Sequence, residues 1–311
     1  MVTHPGGCEI GPRPIDLHLK ALRSMGAKIH DAQRGFIYCE ADRLKGCDIQ
    51  LDYPSVGATE NIMLASVFAE GETIIRNAAK EPEITDLQNY LQATGVQVSG
   101  AGSSAIRITG SSHKLRNAEH TIITDRIVTG TYMTAAGITG SELLLKNVIP
   151  EHLSSIIALL RESGCRISIK GSTMLIVGPS RLRALDIVRT LPYPGFPTDM
   201  QAQLVAMLTM ARGTSIIVET VFENRYKHVD ELLRMGANIK LEGRIAVIKG
   251  VKKLIGANVC ARDLRGGAAL VLAGLAAEGE TVISDIKHID RGYESMEEKL
   301  SQAGAMIRRI N

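Results

Sequence analysis

Nine glycines, set in two interleaved rhythms of nearly equal period, constrain this chain more than any other feature. In the first series a short turn leads from an apolar run into a strand-like segment: AEGETII from Ala69, TGSELLL from Thr139, RGTSIIV from Arg212 and AEGETVI from Ala277. Their glycines, Gly71, Gly140, Gly213 and Gly279, lie 69, 73 and 66 residues apart. In the second series a helical run ends in glycine and a strand follows directly: MGAKI from Met25, TGVQV from Thr94, SGCRI from Ser163, MGANI from Met235 and AGAMI from Ala303. Those glycines, Gly26, Gly95, Gly164, Gly236 and Gly304, lie 69, 69, 72 and 68 residues apart. A residue just past a helix end commonly takes left-handed backbone, which glycine adopts without steric cost. Self-similarity at a fixed period means stacked copies of one supersecondary unit.

The predicted unit runs strand, helix, Gly turn, strand, loop, helix, Gly turn, strand, turn, strand. Its first helix is apolar almost all round, over Met63 to Ala69, Tyr132 to Ile138, Leu204 to Met210 and Ala268 to Ala277. Such helices belong in a core. The second helices, such as Asp230 to Met235 and Ser295 to Ala303, are amphipathic. The expected class is therefore α/β, with helices packed inside and sheets outside. The second-helix landmark occurs five times and the Gly-turn landmark four, so the chain is expected to begin midway through a unit. A polar stretch from Ser111 to His120 without apolar periodicity predicts a linker. The expected domains are 1–120, a half unit plus one full unit, and 121–311, three near-complete units.

Composition narrows the function classes. A net charge of +3, aromatics at 4% and no Trp offer neither the charge nor the stacking platforms of a nucleic-acid binder. Cys8, Cys39, Cys47, Cys165 and Cys260 are odd in number and scattered, without CxxC or Cys/His spacing, so neither a disulfide framework nor a metal site is expected. No apolar run reaches bilayer length and no leader pattern opens the sequence, so a cytoplasmic protein without membrane partner is expected. The phosphate-loop and dinucleotide motifs are missing too, and no cofactor is expected.

Two groups of residues suggest chemistry. The string PGGCEIGPRPIDLH, from Pro5, places Cys8 on a glycine-hinged loop and Arg13 between two prolines at the start of an apolar-periodic helix. A thiol near a helix start and a guanidinium is biased toward thiolate; the plain alternative is an inert buried thiol. Each apolar helix also opens on small or capping residues: Pro54–Thr59, Asp125–Thr131, Pro197–Gln201 and Asp263–Gly267. Free N–H groups at such starts attract anions. The plain alternative is capping, with Ser55 and Thr198 as N-caps and Thr198/Gln201 as a capping box. Asp199 is then either a first-turn carboxylate or a general base.

The strings PGGC-x-IG-x-RP-x-DLHL and FPTDMQAQ closely resemble the UDP-N-acetylglucosamine 1-carboxyvinyltransferase family, and the resemblance covers essentially the whole chain. It implies an inside-out α/β barrel of six units in two domains. Roughly a hundred residues are then expected to precede this sequence, judged from the unit length. It implies transfer of the enolpyruvyl group of phosphoenolpyruvate to the sugar 3-hydroxyl, the first committed step of bacterial peptidoglycan synthesis. Cys8 is the implied proton donor, a target of epoxides such as fosfomycin, and Asp199 the implied general base. By the same resemblance Arg13, Arg265 in DLRGGAALVLAG and Arg291 in HIDRGYE hold the anionic groups. Pro14, Ile15, Asp16, Leu17, Ser55, Val56, Gly57 and Val221 are implied to contact the UDP-sugar. The two small molecules are the only partners implied. Two rivals stand beside this reading. The shikimate-pathway enolpyruvyl transferase shares the fold but lacks the PGGC loop. The other is a non-catalytic UDP-sugar-binding remnant, since no residue here can be assigned to the family's N-terminal lysine and arginine; for the same reason this stretch by itself is expected to be inactive even as a member of the family.

Overall fold

The computed structural model describes residues 2–3, 10–11, 14–32 and 36–310. Two compact units emerge. The first takes the described residues up to Ile123, except Ile10 and Gly11, which group with residues 124–310 in the second. In that second unit the Ile10 carbonyl accepts the Asn224 N–H at 3.0 Å.

The first unit carries α1 (Asp16–Ser24), α2 (Val56–Ser66) and α3 (Pro82–Ala93). Its main sheet sets the strands 48–50, 72–76, 105–109 and 97–99 side by side in that order, the first pair parallel and the others antiparallel. The second unit carries α4 (Arg126–Thr139), α5 (Ser154–Glu162), α6 (Gln201–Leu208), α7 (Val229–Arg234), α8 (Leu264–Ala276), α9 (Lys287–Asp290) and α10 (Met296–Gln302). Strands 187–189, 214–218, 245–249 and 238–242 repeat the first unit's order and directions. α6 and α7 hold the places of α2 and α3. The repeat read from glycines is thus a repeat of topology.

α4, α6 and α8 pack on one another, and every residue of α6 is buried. A helix without a polar face has no better place. In each unit the sheets cover that unit's own core with one face. In the hairpin strands Met174 and Ile176, Ala246 and Ile248, and Ile106 and Ile108 are all fully buried, at alternate positions. Among the described residues the sheets stay separate and do not close into one ring. No helix is long and apolar enough to cross a membrane.

All nine landmark glycines have positive φ, from +66° at Gly140 to +117° at Gly213. A different glycine marks close approach. A Cβ on Gly250 would lie 1.6 Å from the Ala211 carbonyl oxygen just beyond α6, and Gly110 and Gly178 meet Ala69 and Ala136 in the same way. Gly250→Ala is therefore expected to destabilise the second unit by about 3 kcal/mol, the upper range for overpacking a well-packed site. Urea unfolding measures this, and a loss below about 1 kcal/mol would mean that the helix end yields.

One expectation is corrected, at the C-terminal end, whereas Ser111 to His120 has no helix or strand, in keeping with a connecting segment. It is docked on the first unit: the Arg116 N–H reaches the Thr94 carbonyl at 2.9 Å, and His120 lies 3.0 Å from the Asp86 carboxylate, edge-on to Tyr90. Residues 305–310, expected as a strand after Gly304, form none. Strands in the equivalent places, 97–99, 166–170 and 238–242, each pair only with the strand that follows them. No such following strand exists among the described residues.

Candidate active site

The starts of α4, α6 and α8 build the site, and two of them are capped. Asp125 Oδ1 accepts the Ile127 and Val128 N–H groups at 2.7 and 3.0 Å. Asp263 Oδ1 accepts those of Arg265 and Gly266 at 3.1 and 2.8 Å. The start of α6 differs. A 3₁₀ turn, Thr198–Met200, precedes it and no side chain caps either element. The expected Thr198/Gln201 capping box does not form: Thr198 lies inside the 3₁₀ turn, with Pro197 at the N-cap position, and its hydroxyl is turned to buried Glu219, to which it donates at 2.9 Å.

Asp199, in the middle of that turn, divides its oxygens between two guanidiniums. Oδ1 accepts from Arg225 Nη2 at 2.5 Å and Oδ2 from Arg265 Nη2 at 3.2 Å. Arg225 is buried and the Arg265 side chain only 12% exposed, whereas the Asp199 side chain keeps 40% of its surface accessible. The carboxylate is thus crowded by protein yet open to a small molecule from outside. Burial pushes its pKa up and is the largest single influence, but the charges of Arg265 and then Arg225, with their hydrogen bonds, together hold it below the usual carboxylate range. Asp199 is ionised at neutral pH.

Behind these groups lies a polar knot that joins the three helices. Arg265 stacks over the Tyr293 ring at 5.5 Å and donates to its hydroxyl at 3.2 Å. The same hydroxyl lies 2.9 Å from Thr131 Oγ1, and Gln203 Nε2 donates to both, at 3.1 Å to Thr131 and 3.3 Å to Tyr293. No local sequence pattern singles out Gln203 or Tyr293, and Thr131 stands out only as the end of the α4 entry. The available signal was chemical: Gln203 is an amide inside an apolar helix, and an amide there must find partners. Beside Arg225, buried His228 is pulled down to about 4, chiefly by burial and partly by Arg225 against the opposing Asp263. It is neutral at neutral pH and adds no charge to the cluster.

Val221 lies on the loop before Arg225, its N–H bonded to Glu219 Oε1 at 2.8 Å. Arg291 is exposed at the end of α9, two residues before Tyr293. In the first unit Ser55 does cap α2, accepting the Ala58 N–H at 3.3 Å. Val56 and exposed Gly57 follow, and a Cβ on Gly57 would sit 3.4 Å from the His18 ring. His18, whose Nδ1 is 3.0 Å from Asn61 Nδ2, links that start to the first turn of α1, where Asp16 and Leu17 follow Pro14 and Ile15. Two clusters therefore form, one per unit. Cys8 and Arg13 lie outside the described residues. Among the described residues no group of three or more His, Cys, Asp or Glu side chains could hold a metal. A cavity of about 650 Å³ beside α8 and residues 306–310 is lined largely by aliphatic side chains and contains none of the site residues.

Buried helices inside repeated βαβαββ units, and a carboxylate gripped by two arginines at one helix start, are thus the main features of the fold and of the candidate site. The EPSP synthase (3-phosphoshikimate 1-carboxyvinyltransferase) family matches residues 1–300, and the chain belongs to this family of enolpyruvyl transferases. Within it the chain is similar to UDP-N-acetylglucosamine 1-carboxyvinyltransferase 1 of Carboxydothermus hydrogenoformans, at 57% identity over 100% of this chain and 73% of that protein. It is 58% identical to UDP-N-acetylglucosamine 1-carboxyvinyltransferase 1 of Caldanaerobacter subterraneus subsp. tengcongensis, over 99% of this chain and 74% of that one. The solved enolpyruvyl transferase NikO from Streptomyces tendae superposes with a TM-score of 0.87 at 25% identity, covering 96% of this chain and 73% of its own. An EPSP synthase from Acinetobacter baumannii, at 22% identity and a TM-score of 0.70 over 95% of this chain and 72% of that one, shares the fold.

Proposed function

We propose that this chain transfers the enolpyruvyl group of phosphoenolpyruvate to the 3-hydroxyl of UDP-N-acetylglucosamine, the first committed step of peptidoglycan synthesis. The observation that carries the reading is Asp199, ionised, open on one side and held between Arg225 and Arg265. A base and anion-binding groups thereby meet at one point. The sugar oxygen attacks C2 of phosphoenolpyruvate while Asp199 takes its proton, and the Cys8 thiol delivers a proton to the C3 methylene. The tetrahedral adduct then loses phosphate, and a proton leaving C3 restores the double bond and the thiol. Arg13, Arg265 and Arg291 hold carboxylate and phosphate, an electrostatic contribution that usually dominates. Pro14 to Leu17, Ser55 to Gly57 and Val221 contact the UDP-sugar. The identity of 57 and 58% with UDP-N-acetylglucosamine 1-carboxyvinyltransferases favours this acceptor over a shikimate phosphate. A cytoplasmic setting is part of the proposal, and the four described cysteines are free thiols.

The test is phosphate release with both substrates, with shikimate 3-phosphate as the alternative acceptor. Release that requires UDP-N-acetylglucosamine supports the reading. Binding of that sugar without any release would instead make the chain a binding module.

Cys8 is expected to be alkylated first among the five thiols. Burial pushes the Cys165 thiol up to about 11, and burial followed by Asp48 also raises Cys47. Both should react slowly, since thiolate is the nucleophile. Exposed Cys39 is the competitor. Mass spectrometry after limited alkylation decides, and earlier labelling of Cys39 would return Cys8 to an ordinary thiol.

A further inference from the structure

Glu219 follows the strand Thr214–Val218, is 1% exposed, and has no part in the proposed reaction. Burying a carboxylate is costly unless hydrogen bonds satisfy it. Four donors do so. Oε1 accepts the Val221 and Phe222 N–H groups at 2.8 and 3.2 Å and the Thr190 hydroxyl at 3.0 Å. Oε2 accepts the Thr198 hydroxyl at 2.9 Å. Closing the 219–222 turn alone would use only Oε1.

The second oxygen reaches a different segment. Thr198 is the neighbour of Asp199, and the loop that begins at Val221 ends in Arg225, which grips Asp199 from the other side. The turn 198–200 and the loop 220–225 are therefore tied together twice, at Glu219–Thr198 and at Arg225–Asp199. We infer that Glu219 is a positioning residue: it holds the base Asp199 in register with the Val221 loop, so that a sugar seated on the loop presents its hydroxyl to the base. The inference rests on the reading given under Proposed function. It also explains the residue type. Glutamine at this position would turn an NH₂ group either against two backbone N–H donors or toward Thr198, whose hydroxyl would then have to reverse.

Thr198→Val cuts only the Oε2 branch and Thr198→Ser keeps it, whereas Glu219→Gln disturbs both branches. Thr198→Val is expected to lower kcat about tenfold, in the range of one hydrogen bond to a charged group, with the UDP-N-acetylglucosamine KM within about twofold. Thr198→Ser should restore kcat to within about twofold of wild type. Glu219→Gln should lower kcat and raise the sugar KM, each about tenfold, while the phosphoenolpyruvate KM stays within about twofold. A purely structural role would lower the melting temperature of Thr198→Val and Glu219→Gln but leave kcat and both KM values unchanged, and that result overturns the inference. If Glu219→Gln does not fold, the Thr198 pair decides alone. Wild type is assayed first: no phosphate release with either acceptor would count against the functional reading itself. Glu219 is then judged by calorimetric titration with UDP-N-acetylglucosamine. About tenfold weaker binding in Glu219→Gln supports positioning, and unchanged or absent binding overturns it.

Discussion

Asp199→Asn is expected to reduce turnover by about 10²–10⁴-fold, the usual contribution of a general base, while UDP-sugar binding stays within about tenfold. Asparagine keeps the side-chain shape and one oxygen for Arg225, the partner at 2.5 Å, but cannot take the hydroxyl proton. It is a better probe than alanine. Asp199→Ala would leave buried Arg225 and largely buried Arg265 without their shared carboxylate, and breaking such a pair costs about 3–5 kcal/mol. An inactive alanine variant would therefore mix lost chemistry with lost structure. The two effects separate by pH as well. The Asp199 carboxyl titrates lower in the folded chain than in the unfolded one. Its contribution to stability is present above the ordinary carboxylate range and lost as pH falls through the folded value. Asp199→Asn should remove that part of the acid destabilisation. Phosphate release and calorimetry with the sugar check the main claim, and near-normal turnover would reduce Asp199 to a charge partner of the two arginines.

What the sequence disclosed was what is decided locally. A helix end that needs left-handed backbone selects glycine at that residue, so Gly26, Gly95, Gly164 and Gly236 mark true helix ends with φ between +86° and +105°. A helix such as α6, apolar almost all round from Leu204 onward, declares its burial without any partner being known. The site was legible mainly through family strings. Its bonds join residues far apart in sequence: Thr198 to Glu219 across 21 positions, Asp199 to Arg265 across 66, and Thr131 to Tyr293 across 162. Local rules even pointed the wrong way at Thr198. Its spacing to Gln201 fits a capping box, but the rule assumes that Thr198 stands at the N-cap, and the chain instead places it inside a 3₁₀ turn with its hydroxyl turned to Glu219. The fifth glycine misled for a related reason. Gly304 ends α10 with φ +97°, yet a strand needs a pairing strand, which no local pattern guarantees.

Arg265→Met should lower turnover about 10²–10³-fold, the cost of removing one preorganised electrostatic group, and raise the phosphoenolpyruvate KM. Methionine keeps an apolar stem over Tyr293, so the knot with Thr131 and Gln203 loses only the guanidinium bond at 3.2 Å. The more discriminating readout is pH. Burial pushes the Asp199 carboxyl up, and of the charges that oppose it Arg265 is the larger. Without that guanidinium the carboxyl titrates at higher pH, and because catalysis needs it ionised, the acid limb of the kcat/KM profile should move to higher pH. Arg265→Lys keeps the charge but not the fork that serves Asp199 and Tyr293 together, so its acid limb should fall between those of Met and wild type. Under the proposed mechanism a phosphoenolpyruvate anion that drew Arg265 away from Asp199 would make the carboxylate more basic as the acceptor hydroxyl arrives. An acid limb that stays in place in Arg265→Met, or moves to lower pH, would show that Asp199 is not the group whose ionisation limits the rate.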